Sequence, residues 1–346
     1  MPPYRQRSGA NPAPRPGAPA RRPSWRAVLA AGAAALLAAC TSPTPEPVKP
    51  SPAAPPNIIG VMSFNVCGGQ CPPTLPTTQW ASTVAAVIDE NRSEVVMLQE
   101  ICRSQYLALS DLLGKRDRAV GTPYTFAWKP TLTNNAACKV WGEAPNRAET
   151  GYFGNAILIR GTDAIKYRTD VALPNPYGHE PRFMICLDTA FEQTVRVCNV
   201  HIDYHPESRK VQLAHVAKLV GGWAATRPVV LGGDLNIRPD APELQALYSA
   251  PLGMGRLAEV DDTDKRFFGG GCTGATVRCR TGETTMRETS DTKVSYIFAS
   301  DGHFKIMDGG VGRGYAPLSS HLPLFGLLAV TPPASAPPSA AASGTP

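Results

Sequence analysis

The stretch Val229-Val230-Leu231-Gly232-Gly233-Asp234-Leu235-Asn236 carries the clearest message in this chain. Pro228–Gly232 reads as a short buried strand, rich in β-branched residues. Two polar residues, Asp234 and Asn236, stand where it ends. Ligands of layered α/β folds gather at strand ends. The same arrangement recurs along the chain. Asn65 closes the run Ile58–Val66, Glu100 follows Val95-Val96-Met97-Leu98-Gln99, and His201 follows Arg196-Val197-Cys198-Asn199-Val200. His321 precedes Leu322-Pro323-Leu324-Phe325. Each has an ordinary explanation: Asn and Asp favour turns, a Glu after a strand is often solvated, and a lone His is usually structural. Six such residues, at five strand ends, point to one shared site.

Around these runs the apolar pattern predicts further strands at Tyr124–Lys129, Gly154–Arg160, Ile165–Val171, Arg182–Thr189, Thr194–Ile202, Lys293–Ala299, Phe304–Asp308 and Leu322–Val330. Helical spacing marks Thr78–Glu90, Ser104–Leu113 and Glu207–Trp223, with a short helix at Pro242–Leu247. In Glu207–Trp223 the residues Val211, Leu213, Ala214, Val216, Leu219 and Val220 form the expected buried face. A long loop is expected between Lys129 and Thr150, and no internal repeat is present. Many strands with few helices predict an α/β fold, a four-layered sandwich of two mostly antiparallel sheets flanked by helices.

The 346 residues carry 34 Lys and Arg against 28 Asp and Glu, a formal +6. Arg5, Arg7, Arg15, Arg21, Arg22 and Arg26 account for all of it, because residues 1–39 hold no acidic residue. Residues 1–39 read as a signal peptide: arginines, then the short apolar Ala27–Ala39, too short to span a bilayer. The segment ends Leu37-Ala38-Ala39-Cys40, which resembles a bacterial lipoprotein cleavage box with Cys40 as the lipidated residue. Arg21-Arg22 hints at twin-arginine export, weakened by Pro23-Ser24. Residues 40–56 then form a Pro-rich tether, 57–330 the folded domain and 331–346 a disordered tail. The expected location is the outer face of the cell membrane, anchored through Cys40 and open to shedding, with the protein a monomer.

Eight cysteines remain beyond Cys40, an even set that favours disulfides in an exported chain. A zinc site is the rival, but the tight Cys-x-x-Cys hooks are missing. Sequence leaves the connectivity open. Pairing of neighbours is the working expectation: Cys67–Cys71, Cys102–Cys138, Cys186–Cys198 and Cys272–Cys279. The third has support from two adjacent strand-like runs that could pair antiparallel.

In order, Ser63-Phe64-Asn65-Val66, Leu98-Gln99-Glu100, Gly154-Asn155-Ala156, Asn199-Val200-His201, Gly233-Asp234-Leu235-Asn236, Tyr296-Ile297-Phe298 and Ser320-His321-Leu322-Pro323 resemble the endonuclease/exonuclease/phosphatase superfamily. His201 is similar to the deoxyribonuclease/sphingomyelinase branch. The resemblance covers about residues 57–330 and implies metal-dependent cleavage of phosphate esters. It implies Mg²⁺ (or Mn²⁺) on Glu100, helped by Asn65, as hard oxygen ligands. Asp234 would accept a proton from the attacking water and Asn236 would orient it. His201 and His321 would donate hydrogen bonds to phosphate, Asn155 would support the site, and Arg182 would touch phosphate or lie at the surface.

Two positions depart from the family pattern. Ser295 stands where an Asp usually precedes Tyr-Ile-Phe, and Ser320 stands where an Asp usually precedes the last His. The lost carboxylates should weaken metal binding and leave the histidines less basic. Three readings stay open: an active hydrolase with a simplified site, a phosphate- or lipid-binding protein on an inactive scaffold, and a structural lipoprotein. The neutral mature chain gives no global reason to prefer nucleic acid over a phospholipid headgroup as substrate. Arg278, Arg280 and Arg287 are expected to be solvated, and His205 and His215 to have no special role.

Overall fold

A computed structural model of the chain describes residues 58–119, 121–142, 147–162, 164–262, 280–289, 292–314 and 318–331. Cys40, Arg278 and the pair Cys272–Cys279 lie outside the described residues. No helix among the described residues is long and apolar enough to cross a membrane.

Twelve strands are described: β1 (Ile58–Asn65), β2 (Val95–Cys102), β3 (Tyr124–Leu132), β4 (Phe153–Arg160), β5 (Ile165–Ala172), β6 (Phe183–Ala190), β7 (Thr194–His201), β8 (Val229–Asp234), β9 (Leu257–Glu259), β10 (Ser295–Ser300), β11 (Phe304–Val311) and β12 (Leu324–Val330). They form two six-stranded sheets, ordered β11-β12-β1-β2-β4-β3 and β5-β6-β7-β8-β10-β9. Only β1–β2 and β7–β8 pair in parallel; the rest is antiparallel. Helices α1 (Thr77–Glu90) and α2 (Arg103–Arg118) cover the first sheet, and α4 (Pro206–Ala224) covers the second.

The central strands read as continuous apolar runs because both of their faces are buried. On β1, Met62 and Phe64 pack under the helices while Ile59 and Val61 face the other sheet. On β8, Val229 and Leu231 face α4 and Val230 faces inward. The edge strands differ: β5 exposes Lys166, Tyr167 and Arg168, and β9 has three residues, both of which discourage pairing with another chain.

Two local expectations change. The stretch expected to be a loop before Thr150 holds a short helix α3 (Ala136–Val140) and a 3₁₀ turn (Arg147–Glu149). The short helix expected at Pro242 is present as the 3₁₀ helix Pro242–Ala246. Helix α4 exists, but its buried face includes Ser208 and Gln212, whereas Ala214 is exposed and Val211 and Leu219 are half-buried. Gln212 tolerates burial because it accepts from the Asp203 N–H (2.9 Å) and donates to the Pro174 carbonyl (3.2 Å). Arg280 and Arg287 are also engaged rather than solvated. Arg280 donates to the Ala241 carbonyl, and the Arg287 side chain and backbone N–H donate to the carbonyls of Ser319 and Ser320.

The three described disulfides pair as expected: Cys67–Cys71, Cys102–Cys138 and Cys186–Cys198. The last joins directly opposed residues of β6 and β7.

A polar tie crosses the inter-sheet layer. Gln99 of β2 donates to Asn199 Oδ1 of β7 (2.8 Å), and Asn199 Nδ2 donates to the carbonyls of Leu98 and Ala156 (2.8 Å each). All of these side-chain groups are fully buried, so each bond lost leaves a partner unsatisfied. Asn199→Ala should therefore lower the unfolding free energy by about 2–3 kcal/mol in urea denaturation. A change below about 1 kcal/mol would contradict the tie.

Candidate active site

Alternation along the strands builds the site. Every second residue faces the opposite sheet. On β1 the inward series is Ile59, Val61, Ser63, Asn65. On β7 it is Val195, Val197, Asn199, His201, and on β8 it is Val230, Gly232, Asp234. Each strand passes from apolar to small or amide to chemically active at its end. The middle step is tight: a Cβ on Gly232 would lie 2.3 Å from the Met97 methyl carbon.

Glu100 reaches this layer by a different route. Met97 faces inward and Leu98 outward, so strict alternation would send residue 100 outward. The β2–β4 register shifts between Leu98 and Ile101, and Glu100 adopts φ +55°. This bulge turns the carboxylate inward, and Ile101 and Cys102 return to the helix-covered face. Asn155 lies on β4 beside this shift, buried, donating to the Phe183 carbonyl at 3.4 Å.

Asn65 sits between the two carboxylates. Its Nδ2 donates to Glu100 Oε1 (3.0 Å) and to Asp234 Oδ2 (2.9 Å). Its Oδ1 accepts the Cys67 N–H (2.9 Å), which fixes the amide orientation. Asn65 thus turns its hydrogens, not its oxygen, to Glu100. In this arrangement Asn65 orients both carboxylates. Glu100 Oε2 is buried and makes no hydrogen bond. Burial pushes the Glu100 carboxyl up to about 7; the Asn65 hydrogen bond opposes this and the Asp234 charge adds to it. An orphaned, buried carboxylate oxygen beside a second carboxylate fits a hard divalent cation.

Asp234 is held from both sides, since its Oδ1 accepts the Asn236 N–H (2.9 Å). Asn236 has φ +51°, and Arg209 Nη1 holds its carbonyl at 2.7 Å.

His201 contacts Arg182 through its other nitrogen. Arg182 Nη1 lies 2.8 Å from His201 Nδ1. A guanidinium only donates, so Nδ1 accepts and Nε2 carries the proton. That N–H faces Glu100 Oε1 (3.8 Å) and Asp234 Oδ2 (3.9 Å). The 3.2 Å approach of Asn236 Nδ2 to Nε2 is then a contact between two donors, and the amide's hydrogen bond goes to the Ile202 carbonyl at 2.9 Å. Burial, the Arg182 charge and His321 hold His201 well below its ordinary pKa. Arg182 is itself buried, is 3.1 Å from Glu180 and leaves Nε without a hydrogen bond.

His321 Nε2 lies 3.7 Å from Asp234 Oδ2, and burial lowers its pKa despite the nearby charge. Both histidines are lowered, with burial as the largest cause. Ser295 is the register partner of Asp234. Neither Ser295 Oγ nor His321 Nδ1 makes a hydrogen bond. Ser320 Oγ packs on the Cys67–Cys71 disulfide, 3.5 Å from Cys67 Sγ and 3.7 Å from Cys71 Sγ. Ser319 ties the loop down, donating to the Asn65 carbonyl (2.7 Å) and accepting the His321 N–H (3.0 Å).

The structure therefore brings together Asn65, Glu100, Arg182, His201, Asp234, Asn236 and His321. His215 lies half-buried on α4. His205, expected to be unremarkable, joins Asp203 and His179 in a separate cluster. Gln99, Asn199 and Ser319 were not anticipated as supports, although Gln99 and Asn199 were visible as amides inside apolar strands.

Comparison with known proteins agrees with this architecture. The family model described as Endonuclease/Exonuclease/phosphatase family matches residues 62–321. No curated protein matches the sequence significantly. Among solved structures, the human Nocturnin catalytic domain with bound sulfate anion is similar at 14% identity and TM-score 0.57, covering 80% of this chain and 95% of that one. An endonuclease/exonuclease/phosphatase family protein from Bacteroides thetaiotaomicron is similar at 16% identity and TM-score 0.56, covering 80% and 100%. One from Beutenbergia cavernae is similar at 20% identity and TM-score 0.53, covering 79% and 72%. At these identities the likeness is one of fold. With strand order, site and family model in agreement, the chain belongs to the endonuclease/exonuclease/phosphatase family, whose members are phosphoric ester hydrolases that typically use divalent metals.

Proposed function

We propose that this chain is a divalent-metal-dependent phosphodiesterase of the deoxyribonuclease/sphingomyelinase type, with Mg²⁺ (or Mn²⁺) held at Glu100. The bare, buried Oε2 of Glu100, set beside Asp234 and faced by His201, carries this reading. When bound, the ion would supply positive charge to the phosphate oxygens. Asp234 accepts the proton of the attacking water, its direction fixed by donors on both oxygens. Asn236 orients that water or a phosphate oxygen. His201 donates through Nε2–H as a neutral imidazole. The protein's own positive charge at the site comes from Arg182, buried behind His201. His321 supplies a second imidazole beside Asp234, and Asn155 supports the strand carrying the loop.

The second reading, an inactive phosphate- or lipid-binding scaffold, draws on Ser295 and Ser320. Ser295, opposite Asp234, brings no charge to the site, and Ser320 rests on a disulfide. We further propose export by the leader, lipidation at Cys40 and action at the outer cell surface on nucleic acid or a phospholipid headgroup, as a monomer. The three disulfides support an oxidising compartment.

Hydrolysis of bis-p-nitrophenyl phosphate with Mg²⁺ or Mn²⁺ tests the reading. EDTA should abolish turnover, and Asp234→Ala should lower kcat by about 10²- to 10⁴-fold. A wild-type protein inert with both metals, whose Ser295→Asp/Ser320→Asp variant turns over, would instead establish the inactive scaffold. The pH dependence has a definite sign. The Glu100 carboxyl is protonated below about 7 and must lose that proton to hold the ion. Apparent Mg²⁺ affinity should thus be full near pH 8 and fall about tenfold per unit below about 7, as read by Mg²⁺ titration. Affinity unchanged between about pH 8 and pH 6 would remove Glu100 from the metal site.

A further inference from the structure

Three elements meet at a second polar cluster. His179 lies in the loop between β5 and β6, Asp203 follows β7, and His205 sits just before the first turn of α4. Asp203 is almost completely buried, and its two oxygens face the two imidazoles: Oδ2 is 2.9 Å from His179 Nδ1 and Oδ1 is 2.8 Å from His205 Nδ1. Asp203 Oδ1 also accepts the His205 backbone N–H at 3.1 Å. Ser208 Oγ lies 2.8 Å from His179 Nδ1. Burial raises the Asp203 carboxyl, but hydrogen bonds from His205 and His179 outweigh it and hold the group below its ordinary range.

An ionised carboxylate accepting from both Nδ1 positions fixes the tautomer of each ring. In the neutral form of each ring, the lone pair that could meet a metal is on Nε2. The rings lie side by side, with centroids 3.9 Å apart and planes 31° apart. One ligating atom from each of the three residues lies within 4.8 Å of the others. His179 and His205 are partly exposed, at 24% and 35% of their side-chain surface, so the rings are open to solvent while their anchor is not. Histidine ligands characteristically donate their second ring N–H to a carboxylate, which orients them and raises their basicity.

We propose that His179 and His205, oriented by Asp203, form a second metal site, selective for a zinc-class divalent cation and separate from Glu100. Two imidazoles suit Zn²⁺, Ni²⁺ or Cu²⁺, whereas Mg²⁺ and Ca²⁺ demand oxygen ligands. The two sites therefore divide by ligand chemistry: carboxylate oxygen at Glu100, imidazole nitrogen here. Solvent completes the coordination of an ion at the exposed edge of the rings. The loops fix the spacing. Asn175 Nδ2 donates to the His179 carbonyl (2.6 Å), and Gln212 ties the Asp203 N–H to the Pro174 carbonyl.

The test is titration of the full-length, EDTA-stripped protein with ZnCl₂ in excess MgCl₂, read by calorimetry. One zinc ion should bind per chain with micromolar or tighter affinity. His179→Ala and His205→Ala should each weaken it by about tenfold or more, while Glu100→Gln leaves it intact. X-ray absorption of the zinc-loaded wild type should show two imidazoles, a readout independent of how the variants fold. Failure of the wild type to take up zinc against Mg²⁺ would overturn the proposal. So would zinc lost in Glu100→Gln but kept in both histidine variants, which would place the ion at the carboxylates.

Discussion

Two amides that look at each other across the inter-sheet layer set the geometry on which the site depends. Gln99 and Asn199 stand at the step where apolar side chains give way to polar ones, and their hydrogen bonds join the two sheets through fully buried atoms. Apolar contacts alone specify that two sheets pack, but not where one strand end lies relative to another. Directional bonds in a dry layer do, because a sheet displaced by one residue would leave several buried groups unpaired. Glu100 follows Gln99 directly, and His201 follows Asn199 by one inward position. Their 3.8 Å approach is a consequence of the register fixed beneath them.

Above that layer the charges are arranged with little room for adjustment. One amide, Asn65, reaches carboxylates belonging to both sheets, and its own oxygen is taken by the backbone of the disulfide loop. Two buried imidazoles are held neutral, so the cationic character of the pocket comes from Arg182, which reaches the site through the back of His201. In this chain a guanidinium, and not a carboxylate, selects the tautomer of that histidine. The selection is nevertheless the useful one: the proton stands on the nitrogen that faces Glu100 and Asp234.

Most of the strands were legible in the sequence because burial on both faces demands unbroken apolar runs, and the polar residues ending those runs marked the site. Alternation by itself, however, predicts that Glu100 points outward; the bulge that reverses it is a backbone event with no hydrophobic signature. Helix α4 was legible as a helix, but its face was not, since Gln212 and Ser208 are buried by hydrogen bonds that a count of apolar residues ignores. The three-residue β9 falls below the length at which periodicity can be read. Arg182 was legible only as a residue touching phosphate or lying at the surface, and His179 carries no local motif, since their partners lie 19 and 24 residues away. Only the turn from β5 into β6 brings them to the end of β7.

The left-handed backbone at Glu100 bears on how such a site persists. A non-glycine residue in that conformation costs on the order of 1–2 kcal/mol, and burying an unpaired carboxylate oxygen adds to the cost. Glycine would relieve the backbone, and any side chain without the charge would relieve the burial. Folding alone therefore gives no reason for glutamate here. A residue kept against those costs resembles a spring held under load, and the load here coincides with a buried carboxylate oxygen that has no hydrogen-bond partner among the described residues.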